Sequence, residues 1–348
     1  MNHCKNVFHL RIFVSGLAIA LLLTSAWQVE CVSGQEPKAK PAVPASKRKK
    51  DEKPPEPEQL ILDTSDGVRL RCTYFGPPSS EEVDGKAVVP VILLHDWEGG
   101  RKQLLRFGYY LQNRGYAVIV PDLRGHGEST LVVGADKPLN LERFRKTDVL
   151  AAQKDIERCK KYLVQRHNEG QLNIDLLCVL AVGETSVLAT QWTYNDWFAF
   201  PPFNAQGIKQ GQDVKSLVLI SPQKKIAGMS IVPILRQPLF TGAGIDALPM
   251  LIIWAADDEE AAKQSSSIHS MLEKARPDVS EIEDAAEKFE QTTLFGEPVP
   301  RTKLSGTELM DLPSDNILWP YIESFLAKKV AAKSDSMPWK TREKKKDD

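Results

Sequence analysis

Apolar positions along the chain recur with two periods. Short, nearly continuous apolar runs appear at "AVVPVILLH" (87–95), "YAVIVPDLRG" (116–125), "DLLCVLAVG" (175–183), "VKSLVLISP" (214–222) and "LPMLIIWAADD" (248–258). Such runs predict strands buried on both faces. Between them the spacing is helical: "RKQLLRFGYYLQNRG" ending at Gly115, a long charged amphipathic stretch over 141–166, "ETSVLATQWTYN" (184–195), "EEAAKQSSSIHSMLEKA" (259–275) and "DNILWPYIESFLAKK" (315–329). Each predicts a helix that turns one stripe to a core. "QLILDTSDGVRLRCTYFGPP" (59–78) predicts two strands around the turn Ser65-Asp66-Gly67, and "TKLSGT" (302–307) a short last strand. Strands alternating with helices predict an α/β fold, a doubly wound, mostly parallel sheet of about eight strands. No long helical insert interrupts the alternation, so no large cap domain is expected.

The two ends do not share this pattern. Lys5 and Arg11 precede the uncharged run "IFVSGLAIALLLTSAW", and Val32 and Gly34 stand at small-residue positions before Gln35. This is the layout of a secretory signal peptide over 1–34. An uncleaved anchor is the alternative, although the run is just short of a membrane span. Residues 35–57 are rich in Pro, Lys and Glu and lack large apolar side chains, which predicts a disordered linker. The expected domain covers 58–330, and 331–348 is expected to be a disordered charged tail. Overall, 45 Lys+Arg stand against 46 Asp+Glu, a balance that argues against a nucleic-acid partner. Any membrane contact is expected to be transient, through the leader. Of five cysteines, cleavage leaves Cys72, Cys159 and Cys178, with no CxxC spacing and no zinc pattern. Neither a metal nor a cofactor is expected.

In doubly wound sheets, chemistry sits in loops at the carboxyl ends of strands. Four such loops stand out: "LLHDWEGGR" with His95, Asp96 and Trp97; "VPDLRGHGES" with His126; "AVGETSVLA" with Glu184, Thr185 and Ser186; and "IIWAADDEE" with Asp257 and Asp258. In this order they resemble the α/β-hydrolase superfamily of esterases, lipases and serine aminopeptidases, over roughly residues 58–330. "PDLRGHGES" is nearly verbatim what many members carry. "LLHDWEGG" is similar to their oxyanion loop, with Asp96 where Gly is usual. The resemblance implies that Asp258 stands at the catalytic-acid position and that "TKLSGTELM" replaces the histidine segment.

The same resemblance exposes what is missing. Aligned on Gly183, the G-x-S-x-G elbow has Thr185 in place of serine and Val187 in place of the second glycine. A β-branched residue is a poor occupant of the positive φ that the elbow imposes. Aligned on Gly306, the histidine position is Thr307, and no histidine follows His269. A hydroxyl without an adjacent base is a weak nucleophile. The expectation is an exported hydrolase-fold protein that has lost Ser-His-Asp chemistry and binds a small molecule or protein at the former site's rim, where Trp97, Trp192 and Trp197 offer aromatic surface. The alternative is a working ester or peptide hydrolase with a rearranged site, pairing Thr185 or Ser186 with His95 or His126. That alternative requires an imidazole within hydrogen-bond reach of a hydroxyl.

Overall fold

A computed structural model describes residues 54–78, 84–199, 202–311 and 318–343. The expected leader and most of the expected linker lie outside the described residues. Nine strands form one sheet: β1 (Glu58–Asp63), β2 (Val68–Phe75), β3 (Pro90–Leu94), β4 (Ala117–Pro121), the short β5 (Leu131–Val132), β6 (Leu177–Val182), β7 (Val214–Ile220), β8 (Met250–Ala255) and β9 (Leu294–Val299). Their spatial order is β1-β2-β4-β3-β6-β7-β8-β9, with β5 added beside β2. β2 runs antiparallel to β1, β4 and β5, and every pair from β4 to β9 is parallel.

Because the central strands are apolar throughout, alternate residues feed two separate cores. Ile92, Leu94, Val179, Ala181, Leu217, Leu219 and Ile252 face one side. There they meet α2 (Gln153–Asn168), α3 (Thr185–Phe198) and α4 (Glu259–Ala275) through Ile156, Leu163, Leu188, Ile268 and Leu272. Val91, Leu93, Leu180, Val218, Leu251 and Ile253 face the other side. α1 (Leu105–Gln112) and α5 (Leu318–Lys329) cover that face with Phe107, Leu111, Ile322 and Leu326.

Three expectations need correction. The stretch 141–166 is not one helix: a short helix, Lys146–Leu150, precedes α2. "TKLSGT" is not a strand, and the ninth strand is β9 instead, while Gly306–Met310 forms a helical turn. β9 contains Gly296 and Pro298, is half-exposed and lies at the sheet edge, where a missing N–H is tolerated. A Cβ at Gly296 would lie 2.5 Å from the His269 ring, so α4 packs directly onto this backbone.

The third correction concerns the C-terminal tail, which is docked as far as residue 343. The Trp339 indole donates to the His167 carbonyl at 3.0 Å, and the Met337 carbonyl accepts from Asn173 at 2.9 Å. Arg342 reaches the carboxylates of the half-buried Asp175 and the fully buried Asp213. Among the described residues, no helix is long and apolar enough to cross a membrane.

Candidate functional site

β6 ends at Val182, and α3 begins two residues after Gly183. The tight turn between them is made by Gly183, with φ +57°, and not by Thr185, which has ordinary helical placement. Thr185 therefore does not occupy the positive φ that a β-branched residue tolerates poorly. Thr185 is fully buried, and its hydroxyl faces two backbone carbonyls, Val182 at 2.7 Å and His95 at 2.9 Å. It ties the ends of β3 and β6 together and presents no oxygen to solvent. Ser186 is also fully buried, and its hydroxyl has no partner among the described residues. Val187 packs into the core on the α3 side.

The feature that organises this edge is the Asp96 carboxylate. Its Oδ1 accepts from the backbone N–H of Trp97 at 2.7 Å and of Glu184 at 3.1 Å. One donor comes from the loop after β3 and the other from the residue following the turn glycine. These are the two places from which hydrolase elbows draw their oxyanion donors. A Cβ on Gly183 would lie 2.2 Å from both Asp96 oxygens, and one on Gly306 (also φ +57°) 2.7 Å from Oδ2. The carboxylate thus fills the space above two bare glycines. Burial pushes the Asp96 carboxyl above the ordinary range, against the pull of the two N–H groups. Burial, then Asp96 and Glu98, push Glu184 up as well. Three carboxylates therefore crowd one rim.

The histidines are committed elsewhere. His95 is fully buried, with Nδ1 2.6 Å from the Asp96 carbonyl and Nε2 accepting from Leu123 N–H at 3.1 Å. Burial pulls its pKa down to about 4, so the ring is neutral. Both ring nitrogens of His126 face carbonyls, those of Arg124 and Trp97. No histidine ring is hydrogen-bonded to a serine or threonine hydroxyl among the described residues. The pairing required by a rearranged hydrolase is thus missing from them.

Asp258 caps α4, its carboxylate accepting from Ala261 N–H at 3.1 Å. It lies at the same sheet edge as Gly183, two strands along, or about 10 Å. The Asp257 N–H holds the Thr302 carbonyl at 3.3 Å, which leads the chain back towards Gly306. Gly306, not Thr307, meets Asp96, and Thr307 is buried beside it at 8% exposure. Trp97 is half-buried, edge-on to His126. The other two tryptophans do not belong to this rim. Trp192 is core, and the Trp197 indole bonds Val214 at the amino end of β7. Motif spacing uses Gly183 and Gly306 as anchors but misses that these bare positions, and not Thr185 and Thr307, meet Asp96.

No family model matches the sequence, and no curated protein matches it. By structure the chain is similar to esterase 2 of Thermogutta terrifontis, solved phosphoramylated by tabun, at 15% identity. That likeness covers 79% of this chain and 96% of that one, with a TM-score of 0.51. It is also similar to the Pyrococcus horikoshii acylaminoacyl peptidase at 14% identity, over 85% of this chain and 43% of that one, with a TM-score of 0.52. The strand order, the two helical layers and these likenesses agree: the chain has the α/β-hydrolase fold, without a large cap domain.

Proposed function

We propose that this is an exported α/β-hydrolase-fold protein that does not hydrolyse esters or peptides and acts by binding at the rim of the former site. One observation carries the reading: the Asp96 carboxylate occupies the N–H pair of Trp97 and Glu184. Acyl transfer needs that pair free for the oxygen on which charge develops. A tetrahedral oxyanion would have to displace a carboxylate held by its own loop. It would then sit beside Glu98 and Glu184, in a like-charged neighbourhood.

The other groups that the chemistry requires are also committed elsewhere. The turn residue, Gly183, has no side chain to attack with. Thr185, which motif spacing puts at the nucleophile position, spends its hydroxyl on two carbonyls. His95 and His126 are bound to backbone. Asp258 alone supplies no base for a hydroxyl. The rim that remains is acidic, through Glu98 and Glu184, with the half-buried Trp97 beside it. It suits a small molecule or protein that brings aromatic or cationic groups. Export is supported by the order of basic residues, apolar run and small residues at the N-terminus.

The test is labelling of the purified chain with a fluorophosphonate probe, alongside hydrolysis of p-nitrophenyl acetate. The Thermogutta esterase, which tabun modifies, serves as the labelled control. The expected result is no adduct and no turnover above a surface-mutant control. An adduct mapped to Thr185 or Ser186 would establish a working hydrolase with a rearranged site. Cell fractionation tests export separately, and full-length chain in the cytosol would overturn it.

A further inference from the structure

A cleft of about 1200 Å³ opens at the opposite edge of the sheet, where β7, β8 and β9 begin. Its wall includes Lys215 on β7, Leu248 and Pro249 before β8, Leu294 on β9, and Arg276 and Lys329 from the helical layers. Its charges are arranged by depth. The lining carboxylates Asp246, Glu273, Asp278 and Glu290 are all exposed. The lining cations include two that are buried, Arg276 at 9% and Lys329 at 4% exposure.

Neither buried cation has a carboxylate within ion-pair distance among the described residues. Arg276 donates from Nε to the Phe240 carbonyl at 2.9 Å and from Nη2 to the Leu248 carbonyl at 3.0 Å. Its Nη1 is buried and has no partner among the described residues. Lys329 bonds the carbonyls of Phe289 and Glu290 and lies over the Phe289 ring. Lys215, half-buried, bonds the Gln212 carbonyl and sits 5.0 Å from the Trp197 ring centre. Burial alone pulls Arg276 down to about 10. Burial, then Lys333, pulls Lys329 to about 8. Buried charges are ordinarily paired, because neutral dipoles do not cancel the field of an ion taken out of water. Here a deep positive floor lies under apolar walls that include Trp197, Ile245 and Met337.

We infer that this cleft binds an organic anion with an apolar body, a carboxylate or phosphate monoester whose charge is set over Arg276 and Lys329. The apolar part would lie along Trp197, Ile245 and Leu248. This site is separate from the Asp96 rim and does not depend on the loss of hydrolysis there.

Titration calorimetry of the full chain with decanoate, decyl phosphate and decanol tests it. Decanoate or decyl phosphate should bind saturably, and the tighter of the two identifies the headgroup class. Decanol should bind at least about tenfold more weakly, and Arg276→Met and Lys329→Met should each weaken the anion by a similar factor. Ile245→Glu puts a carboxylate on an exposed lining residue, so it should weaken anion binding without touching the fold. It therefore keeps the test open if either buried variant fails to fold. Equal binding of decanol and decanoate, no saturable anion binding, or decanoate affinity unchanged in Ile245→Glu together with either folded buried-cation variant, would overturn the inference.

Discussion

Replacing Asp96 with glycine leaves the backbone N–H groups of Trp97 and Glu184 without their acceptor while removing nothing else from the turn. Two hydrogen bonds to a charged oxygen are lost, at 2.7 and 3.1 Å, each worth about 1.5–3 kcal/mol. Against this gross loss of about 3–6 kcal/mol stands the relief of a carboxyl that burial disfavours and that crowds Glu98 and Glu184. The added backbone freedom of glycine costs about 0.5–1 kcal/mol. We expect a net loss of about 2–3 kcal/mol, a fall in Tm of roughly 3–5 °C for a domain of this size.

The second half of this prediction separates the anion site from ordinary packing. In Asp96→Gly the two donors converge on a space walled by bare Gly183 and Gly306, so a small oxyanion should enter. Formate at about a hundred times its Kd should return about 2.7 kcal/mol, most of the loss. Thermal unfolding in formate against chloride at equal ionic strength is the assay, and the wild-type chain should not respond to the exchange. The pH dependence follows in sign. A carboxyl raised by folding lowers stability as pH climbs from the ordinary carboxylate range through its raised value, and Asp96→Gly should lose that component. A variant as stable as wild type, with no formate response, would refute the converging-donor geometry.

Three further outcomes follow from the structure. His95, pulled from 6.5 to about 4 mainly by burial, should cost stability as pH falls from 6.5 towards 4, about 3 kcal/mol in all; urea unfolding of wild type and His95→Asn at pH 7 and pH 4 should show this slope only in wild type. Asp155, fully buried on Arg124 with a shortest contact of 2.7 Å, should cost about 3–5 kcal/mol when changed to alanine, and Asp155→Ala with Arg124→Met should recover part of it; a loss under about 1 kcal/mol would show that Asp66 alone holds the guanidinium. Asp96→Gly with Gly183→Ser and Gly306→His should give measurable p-nitrophenyl acetate turnover where none of the single changes does, whereas turnover by Gly183→Ser alone would show that a base is already in place.

The strands were legible because the central five are apolar on both faces, a pattern few other elements produce. β9 was not, since Gly296 and Pro298 dilute its apolar signal and an edge strand needs less of it. The tail was misread for a similar reason. "MPWKTR" looks like a solvated charged end, but Trp339 and Arg342 find partners on α2, Asp175 and Asp213 that no local pattern reveals. The "PDLRGHGES" stretch was recognisable, and in this chain its side chains are structural. Asp122 takes Arg101, Arg124 takes Asp155 and Asp66, and the Ser129 hydroxyl accepts the Arg71 N–H. The site itself was legible only to within two residues. Motif spacing anchors Gly183 as the first glycine of the elbow, but backbone φ makes it the turn residue itself. Only three-dimensional crowding around Asp96 reveals Gly306 as its counterpart.

That crowding also decides what the edge can do. Side chains at 183 and 306 and the carboxylate at 96 compete for one volume, because a Cβ at either glycine would come within 2.7 Å of an Asp96 oxygen. Two occupancies satisfy the sterics. Either the loop carboxylate sits on the N–H pair and both positions stay bare, or a nucleophile and a base stand there and position 96 is small. Mixed states are penalised. A serine at 183 with Asp96 in place collides, and bare glycines without Asp96 leave two donors unmet in a half-buried turn. Passing from the first occupancy to the second therefore takes changes at 96, 183 and 306 together, since each single step loses stability.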